Sequence, residues 1–112
     1  MRSDSGYLEF IDESIRLVPS YTQAGYEHLE SDIGNQDQVI RPMEIIADAT
    51  ARLSTQLQER HPDVPWRQIK DFRNSVAHGY MDVDLQLVWQ AVQRLPELER
   101  VVEDELERDR SR

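Results

Sequence analysis

Cysteine is absent from this sequence, and no long apolar run is present, so several classes of protein are excluded. A chain without cysteine has no disulfide framework, no thiolate zinc site and no cysteine nucleophile. No apolar run approaches the roughly 20 residues that cross a bilayer as a helix. The polar N-terminus, residues 1–5, does not have the pattern of a signal peptide. We therefore expect a cytoplasmic protein without a membrane-spanning segment.

Basic residues are also scarce. Thirteen lysines and arginines accompany 22 aspartates and glutamates, and the formal net charge is −9. The charge is uneven: it is −6 over residues 1–40, +1 over residues 41–80 and −4 over residues 81–112. Because an acidic surface repels phosphate, such a protein is a poor general binder of nucleic acid. A nucleic acid would therefore have to be bound locally, within residues 41–80.

The length of 112 residues suits one domain, which we expect to span 1–112. A single domain of this size buries only about two-thirds of the surface of its unfolded chain, so pairing with a second copy would enlarge the core. The segment 103–112 is almost wholly charged, and we expect this tail to fray. There is no internal repeat.

Apolar residues recur at helical spacing through most of the chain. Leu8, Ile11, Ile15 and Val18 follow a 3-4-3 pattern, which predicts an amphipathic helix that ends or kinks near Pro19. No strand-like alternation of useful length competes with the helical pattern. The predicted fold class is therefore all-α.

Proline, glycine and capping residues divide the rest of the chain into further helices. The glycines within 20–36 indicate a connector with one short helical turn. The apolar pattern then predicts a long helix over 36–60, a second that begins near Pro65, and a last one that begins after Asp84 and kinks at Pro96. The sequence thus predicts a single-domain bundle of four main helices plus a short connector helix.

His78 is distinguished from the other histidines by its neighbours. Arg73 precedes it by five residues and Asn74 by four, while Tyr80 follows it by two. Five residues of helix turn the chain by about 500°, so Arg73 and His78 lie about 140° apart and do not share one face. Two copies of the segment across a two-fold axis would gather two arginines and two histidines in one cleft. Within one chain, Asn74 can contact His78.

These residue types suit RNA cleavage without a metal, in which the ribose 2′-OH attacks the adjacent phosphate. Histidine exchanges protons near neutral pH. Arginine offers a permanent charge and a planar fork that matches phosphate oxygens. The spacing alone also allows another interpretation, in which Arg73 pairs with Asp71 or with an acid on another helix and His78 only caps a helix.

The wider sequence around this segment resembles the HepT-like family of the HEPN superfamily. The resemblance covers roughly residues 7–107, and its most specific part is the string Arg-Asn-x-x-x-His-x-Tyr at 73–80. Its shorter parts are Pro65-Trp66-Arg67-Gln68-Ile69, Asp37-Gln38-Val39-Ile40-Arg41, Glu44-Ile45-Ile46 and Leu95-Pro96-Glu97-Leu98. The chain departs from the family in two places. It has Ala47-Asp48-Ala49 where Gly-Glu-Ala is usual, and it is one residue shorter near Pro96. Both departures concern the geometry of the dimer more than the chemistry.

The resemblance implies an α-helical homodimer whose paired Arg-x4-His motifs line an RNase cleft, and a toxin of a toxin–antitoxin pair. It implies that Arg73 binds the scissile phosphate of RNA, that His78 is the general acid or base, and that Asn74 orients the site. The antitoxin would be a minimal nucleotidyltransferase that silences the toxin by transferring AMP to Tyr80. Such a site uses neither a metal nor a cofactor.

Several residues outside the string are candidates for secondary roles. A phosphate path into the cleft would be formed by basic residues of the middle third, namely Arg41, Arg52, Arg67 and Lys70. For each of them, a solvated surface role is an equal alternative. Glu44 and Asp48 lack a third ligand at helical spacing, so we interpret them as surface or ion-pairing acids rather than a metal site. His28 and His61 are predicted to be surface residues.

Two other functions compete with that of an RNase toxin. In the first alternative, the chain is a non-catalytic HEPN-type subunit that binds a nucleotide or a nucleotidyltransferase partner. The net charge of −9 favours this alternative. In the second alternative, the chain is a small helical dimer in which the motif has only a structural role. An RNase toxin would lose RNA cleavage in the variant His78→Ala, whereas neither alternative predicts such a loss.

Overall fold

The computed structural model of the chain describes residues 3–76 and 83–111. Within these two ranges the chain is all-α, as the sequence predicts, and it forms seven helices and no strand. The helices are α1 (Asp4–Thr22), α2 (Tyr26–Ser31), α3 (Ile33–Ala51), α4 (Thr55–Arg60), α5 (Trp66–Val76), α6 (Leu85–Gln93) and α7 (Leu95–Arg110). None of them is both long and apolar enough to span a membrane.

Helix α3 occupies the centre of the bundle. It packs against α1 and α5, and α1 also packs against α7. The apolar stripe predicted for α1 faces the core: Leu8, Ile11, Ile15 and Val18 are each 4% exposed or less. From α3 the core receives Val39, Ile40, Met43 and Ile46. The four predicted main helices are thus α1, α3 with α4, α5, and α6 with α7, and α2 is the connector helix.

The prediction of one unbroken helix over 36–60 is wrong, because the helix is interrupted between α3 and α4. Ser54 has an extended conformation (φ −63°, ψ 154°), and its hydroxyl caps α4 by accepting a hydrogen bond from the backbone N–H of Leu57. The carboxylate of Asp4 accepts hydrogen bonds from the backbone N–H (2.8 Å) and the hydroxyl (2.6 Å) of Ser54. A side chain 50 residues away thus stabilises a break that the local pattern does not reveal.

The last predicted helix begins where the sequence places it. The carboxylate of Asp84 accepts hydrogen bonds from the backbone N–H of Gln86 (2.9 Å) and of Leu87 (3.4 Å). The kink predicted at Pro96 takes the form of a break, since α6 and α7 separate at Arg94. Pro96 then lies in the first turn of α7, where the N–H that it lacks has no partner within the helix.

The charged segment 103–112 is helical as far as Arg110. One of its residues, Glu105, is only 4% exposed and joins α7 to the end of α4. Nη2 of Arg60 donates a hydrogen bond to Oε1 of Glu105 at 2.6 Å, and Nε2 of His61 lies 2.6 Å from Oε2. The prediction that His61 is a surface residue is therefore wrong, because its side chain is 18% exposed and pairs with this buried carboxylate.

Candidate active site

The structure describes part of the predicted catalytic string. Arg73 and Asn74 lie in the last turns of α5, which ends at Val76. Asn74 is exposed, and Arg73 is half-buried. His78, the predicted general acid or base, and Tyr80, the predicted target of AMP transfer, lie outside the described residues. The geometry of the site is therefore built around Arg73.

The side chain of Arg73 is held by a carboxylate from a neighbouring helix. Its Nε donates a hydrogen bond to Oδ1 of Asp48 on α3, and 3.1 Å separates the two atoms. The sequence leaves open whether Arg73 pairs with Asp71 or with an acid on another helix, and the structure shows the latter. Because α3 packs against α5, the two side chains meet at the contact between these helices.

Asp48 also binds a second arginine. Nε of Arg52, one turn further along α3, donates a hydrogen bond to Oδ2 of Asp48 at 3.1 Å. Each carboxylate oxygen thus has one guanidinium group, and the three side chains form the Arg52–Asp48–Arg73 cluster with a net charge of +1. The hydrogen bond to Asp48 and the attraction of its charge raise the pKa of Arg52, so Arg52 stays protonated.

The contact with Asp48 uses only one edge of the Arg73 guanidinium. No residue within 3–76 or 83–111 forms a hydrogen bond with Nη1 or Nη2 of Arg73. The Arg73 side chain is 34% exposed, so solvent reaches it. A guanidinium binds phosphate most strongly through two parallel N–H groups. Within the described residues, Arg73 is therefore held at Nε only, and none of these residues occupies the terminal nitrogens that an anion would bind.

Arg73 and Asp48 form one wall of a depression of about 450 Å³. The other residues that line it, from α1 and α3, are Tyr7, Phe10, Glu44, Ile45 and Ala49. Phe10 is 40% exposed and Ile45 is 43% exposed, so large apolar side chains face solvent beside the charged cluster. Arg73 is the one basic residue among the described lining residues, beside the acidic Glu44 and Asp48, so an anion in the depression would depend mainly on Arg73.

The predicted phosphate path is only partly brought together. Arg41 lies on the same face of α3 as Asp48, about 10 Å before it along the helix axis. Lys70 and Arg67 precede Arg73 on α5 by about one and two turns, and Arg41, Arg67 and Lys70 are all exposed. None of these three residues is among those described as lining the depression. Their contact with RNA stays a prediction.

Asp48 is an ion-pairing acid, as predicted, since both of its oxygens bind arginines. In the described part of the chain, no three histidine, aspartate or glutamate side chains are grouped closely enough to share a metal ion. The pair formed by Asp48 with Arg52 follows from their i, i+4 spacing. The contact with Arg73 does not, because 25 residues separate the two and only helix packing brings them together. The local sequence hints at this helix contact only through Ala47, a small residue that is buried next to Asp48 in α3.

The described helices form an all-α bundle, and the Arg-x4-His string of the sequence begins at Arg73 in the last turns of α5. Both features agree with a HEPN-type ribonuclease. The ribonuclease HepT-like family model matches residues 11–105, most of the chain and a range that includes 73–80, so this chain belongs to the HepT-like family.

Two relatives illustrate the similarity. The chain is 35% identical over 92 residues to a probable ribonuclease HepT of Thermococcus cleftensis, and the alignment covers 81% of this chain and 84% of that protein. It is 29% identical over 112 residues to a candidate RNase of Caldanaerobacter subterraneus subsp. tengcongensis, with 98% of this chain and 100% of that protein covered. No solved structure matches the chain significantly.

Proposed function

We propose that this chain is a metal-independent endoribonuclease, the toxin of a toxin–antitoxin pair, which cleaves RNA at a composite site between two copies of the chain. The observation that carries the proposal is the family match over residues 11–105, which contains every residue of the string 73–80. The geometry of Arg73 supports it, because no described residue binds the terminal nitrogens of its guanidinium and its side chain lines a depression, where it is suited to bind a phosphate.

The proposed reaction is an attack of the ribose 2′-oxygen on the adjacent phosphorus. A base removes the 2′-OH proton, the bond between phosphorus and the 5′-oxygen of the next nucleotide breaks, and an acid protonates that oxygen. The product is a 2′,3′-cyclic phosphate. Arg73 stabilises the additional negative charge on the phosphate in the transition state, His78 supplies acid or base, and Asn74 orients His78.

Two copies of the chain would complete the site. The reaction needs both a proton acceptor and a proton donor, and the string supplies one histidine per chain. A two-fold dimer places the same surface of each copy opposite itself. The exposed apolar side chains of Phe10 and Ile45 line the same depression as Arg73, so a contact that buries them would also bring the two arginines near one another.

A minimal nucleotidyltransferase is the proposed antitoxin, and Tyr80 is the residue that it modifies. Transfer of AMP to the phenolic oxygen releases pyrophosphate from ATP and leaves a phosphodiester on Tyr80, two residues from His78. The attached nucleotide adds bulk and a negative charge, and both oppose the approach of an RNA phosphate. The toxin is inactive while this group is present.

The proposal is tested by incubating the purified protein with RNA in EDTA. We expect cleavage to fragments that end in a 2′,3′-cyclic phosphate, as read by gel electrophoresis and mass spectrometry. After incubation with the proposed nucleotidyltransferase antitoxin and ATP, the protein should gain the mass of one AMP and lose its RNase activity. The variant Tyr80→Phe should stay unmodified and active under the same treatment.

Intact RNA under all of these conditions would contradict the enzymatic proposal. If the protein nevertheless formed a stable complex with the nucleotidyltransferase, and His78→Ala left that complex functional, the chain would be a non-catalytic partner-binding subunit. The net charge of −9 is the observation that favours this second function, because a free RNase benefits from a basic surface.

Ile45→Glu tests the proposed dimer face. A carboxylate buried without a partner at the centre of an interface costs about 2 kcal/mol or more, which raises the dimer dissociation constant by about 30-fold or more. We expect sedimentation to show monomers at concentrations where the unmodified chain is dimeric, with a parallel loss of RNase activity. Ile33→Glu is the matched control, because Ile33 is 82% exposed at the first position of α3. If the two substitutions had equal effects on dimerisation, the face that contains Ile45 would not be the dimer interface.

A further inference from the structure

The Arg52–Asp48–Arg73 cluster adds little to the stability of the fold. Its three side chains are 51%, 46% and 34% exposed, and ion pairs at this degree of exposure contribute about 0–1 kcal/mol because water screens them. Its geometry, however, is more constrained than that of an isolated surface pair. The carboxylate has one arginine on each oxygen, and one of these contacts crosses from α3 to α5.

This double contact fixes the orientation of Arg73. A free arginine side chain has several rotatable bonds and samples many rotamers. Here Nε is bound to Oδ1 of Asp48, and the hydrogen bond from Arg52 to Oδ2 limits rotation of the carboxylate. Because the bond is made at Nε rather than at the terminal nitrogens, the edge of the guanidinium that suits a phosphate points away from Asp48.

We propose that Asp48 is a positioning residue for RNA cleavage, which holds Arg73 at Nε so that its terminal nitrogens face the scissile phosphate, with Arg52 orienting Asp48 in turn. The proposal rests on the proposed RNase function and deepens it. Asp48 does not touch the substrate, and its effect reaches the reaction through Arg73 alone.

The charge of Asp48 gives this role a distinctive signature. A carboxylate next to a phosphate site repels RNA, so its removal should leave RNA binding unchanged or stronger. The same removal releases Arg73 from its fixed orientation, and a displacement of about 1 Å in a reacting group can cost about 100-fold in rate. Cleavage should therefore slow while RNA binding stays equal or becomes stronger, whereas damage to the fold would weaken both.

The first experiment compares Asp48→Asn with Asp12→Asn. Asp12 pairs with Arg16 at i, i+4 on α1 with a separation of 3.2 Å, so it is a matched ion pair that lies outside the depression. In single-turnover assays we expect Asp48→Asn to cleave RNA about 10- to 100-fold more slowly than the unmodified chain. Its affinity for an uncleavable 2′-O-methyl RNA should be equal or higher. Asp12→Asn should change neither quantity, and Asp48→Glu should restore most of the rate because it keeps the carboxylate.

The second experiment does not depend on RNase activity. In ¹H–¹⁵N spectra of the arginine side chains, the Nε–H signal of Arg73 should exchange slowly with water in the unmodified chain and rapidly in Asp48→Asn. Arg73→Lys assigns the signal, because it removes only that resonance.

The outcomes separate the two proposals. If the unmodified chain cleaves RNA and Asp48→Asn cleaves it equally fast, the positioning role is overturned and the RNase function stands. If Nε–H of Arg73 is unprotected in the unmodified chain, the positioning role is overturned whatever the RNase assay shows. If the Nε–H signal is protected but the unmodified chain leaves RNA intact, the RNase function fails and the positioning role falls with it.

Discussion

Replacing Arg73 by alanine is expected to slow RNA cleavage by about 100- to 1,000-fold, the range typical for the loss of one group that stabilises transition-state charge. The physical reason is the location of its guanidinium, which is bound to Asp48 through Nε in a side chain that lines the depression. His78→Ala should have an effect of similar size, because it removes the proposed proton carrier. Rates are measured with excess enzyme on a short RNA, in EDTA.

Two further variants show whether the loss belongs to the chemistry. Arg73→Lys keeps the positive charge but not the planar fork, so it should recover only a small part of the activity. Arg16→Ala is the matched control: Arg16 is 73% exposed and pairs with one aspartate on its own helix. If Arg73→Ala cleaved RNA as fast as Arg16→Ala, the assignment of Arg73 to the active site would be contradicted. Thermal unfolding should show that Arg73→Ala, Arg73→Lys and Arg16→Ala keep the fold, because surface substitutions change stability by about 0.5 kcal/mol or less.

The largest effect on stability is expected for Glu105→Gln. Glu105 is 4% exposed, and its carboxylate accepts hydrogen bonds from Nε (3.2 Å) and Nη2 (2.6 Å) of Arg60 while it lies 2.6 Å from His61. Loss of one partner of a buried pair costs about 3–5 kcal/mol, and we expect about 2–3 kcal/mol because Arg60 is 34% exposed and partly hydrated. For a domain of this size, that loss lowers Tm by about 10 °C.

The pH dependence of this effect gives a second measurement. The hydrogen bond from Arg60 lowers the pKa of Glu105, against the opposing effect of burial, and the contact with His61 lowers it further. A carboxyl group with a lowered pKa in the folded state stabilises the fold above its ordinary pKa, and this contribution is lost as the pH falls through the lowered value. The difference in unfolding free energy between the unmodified chain and Glu105→Gln should thus be full at neutral pH and shrink below about pH 4.

Glu97→Gln is the control for this prediction. Glu97 lies on the same helix and pairs with Arg94 at 3.2 Å, but its side chain is 53% exposed. Its substitution should change the unfolding free energy by about 0.5 kcal/mol or less at any pH. If Glu105→Gln behaved in the same way, the buried pair would not be a determinant of stability.

Much of the fold follows from the sequence because the signals are local. The apolar stripe of α1, the cap at Asp84 and the interruption near Pro96 each depend on residues within a few positions of one another. The break between α3 and α4 was not predicted, because the group that stabilises it, the carboxylate of Asp4, belongs to another helix. Periodicity within one helix carries no information about such a partner.

The candidate site also has a part that local sequence predicts and a part that depends on distant partners. The string that contains Arg73 and Asn74 was identified from spacing and family resemblance; the family match confirms the family, and the roles of these residues stay predictions. The contact between Arg73 and Asp48 depends on how α3 packs against α5, and the burial of His61 depends on Glu105, which is 44 residues away. Contacts between residues that are distant in sequence therefore could not be predicted from the sequence.

The contact of Glu105 with Arg60 and His61 also determines the order in which the domain can be completed during synthesis. Ribosomes release α1, α3 and α4 early, and these helices already share the contacts between α1 and α3. The end of α4 has to wait for the carboxylate near the far end of α7, as does the surface of α1 that α7 covers. A nascent chain that ends between residues 80 and 104 therefore carries the complete string 73–80 on an unfinished fold.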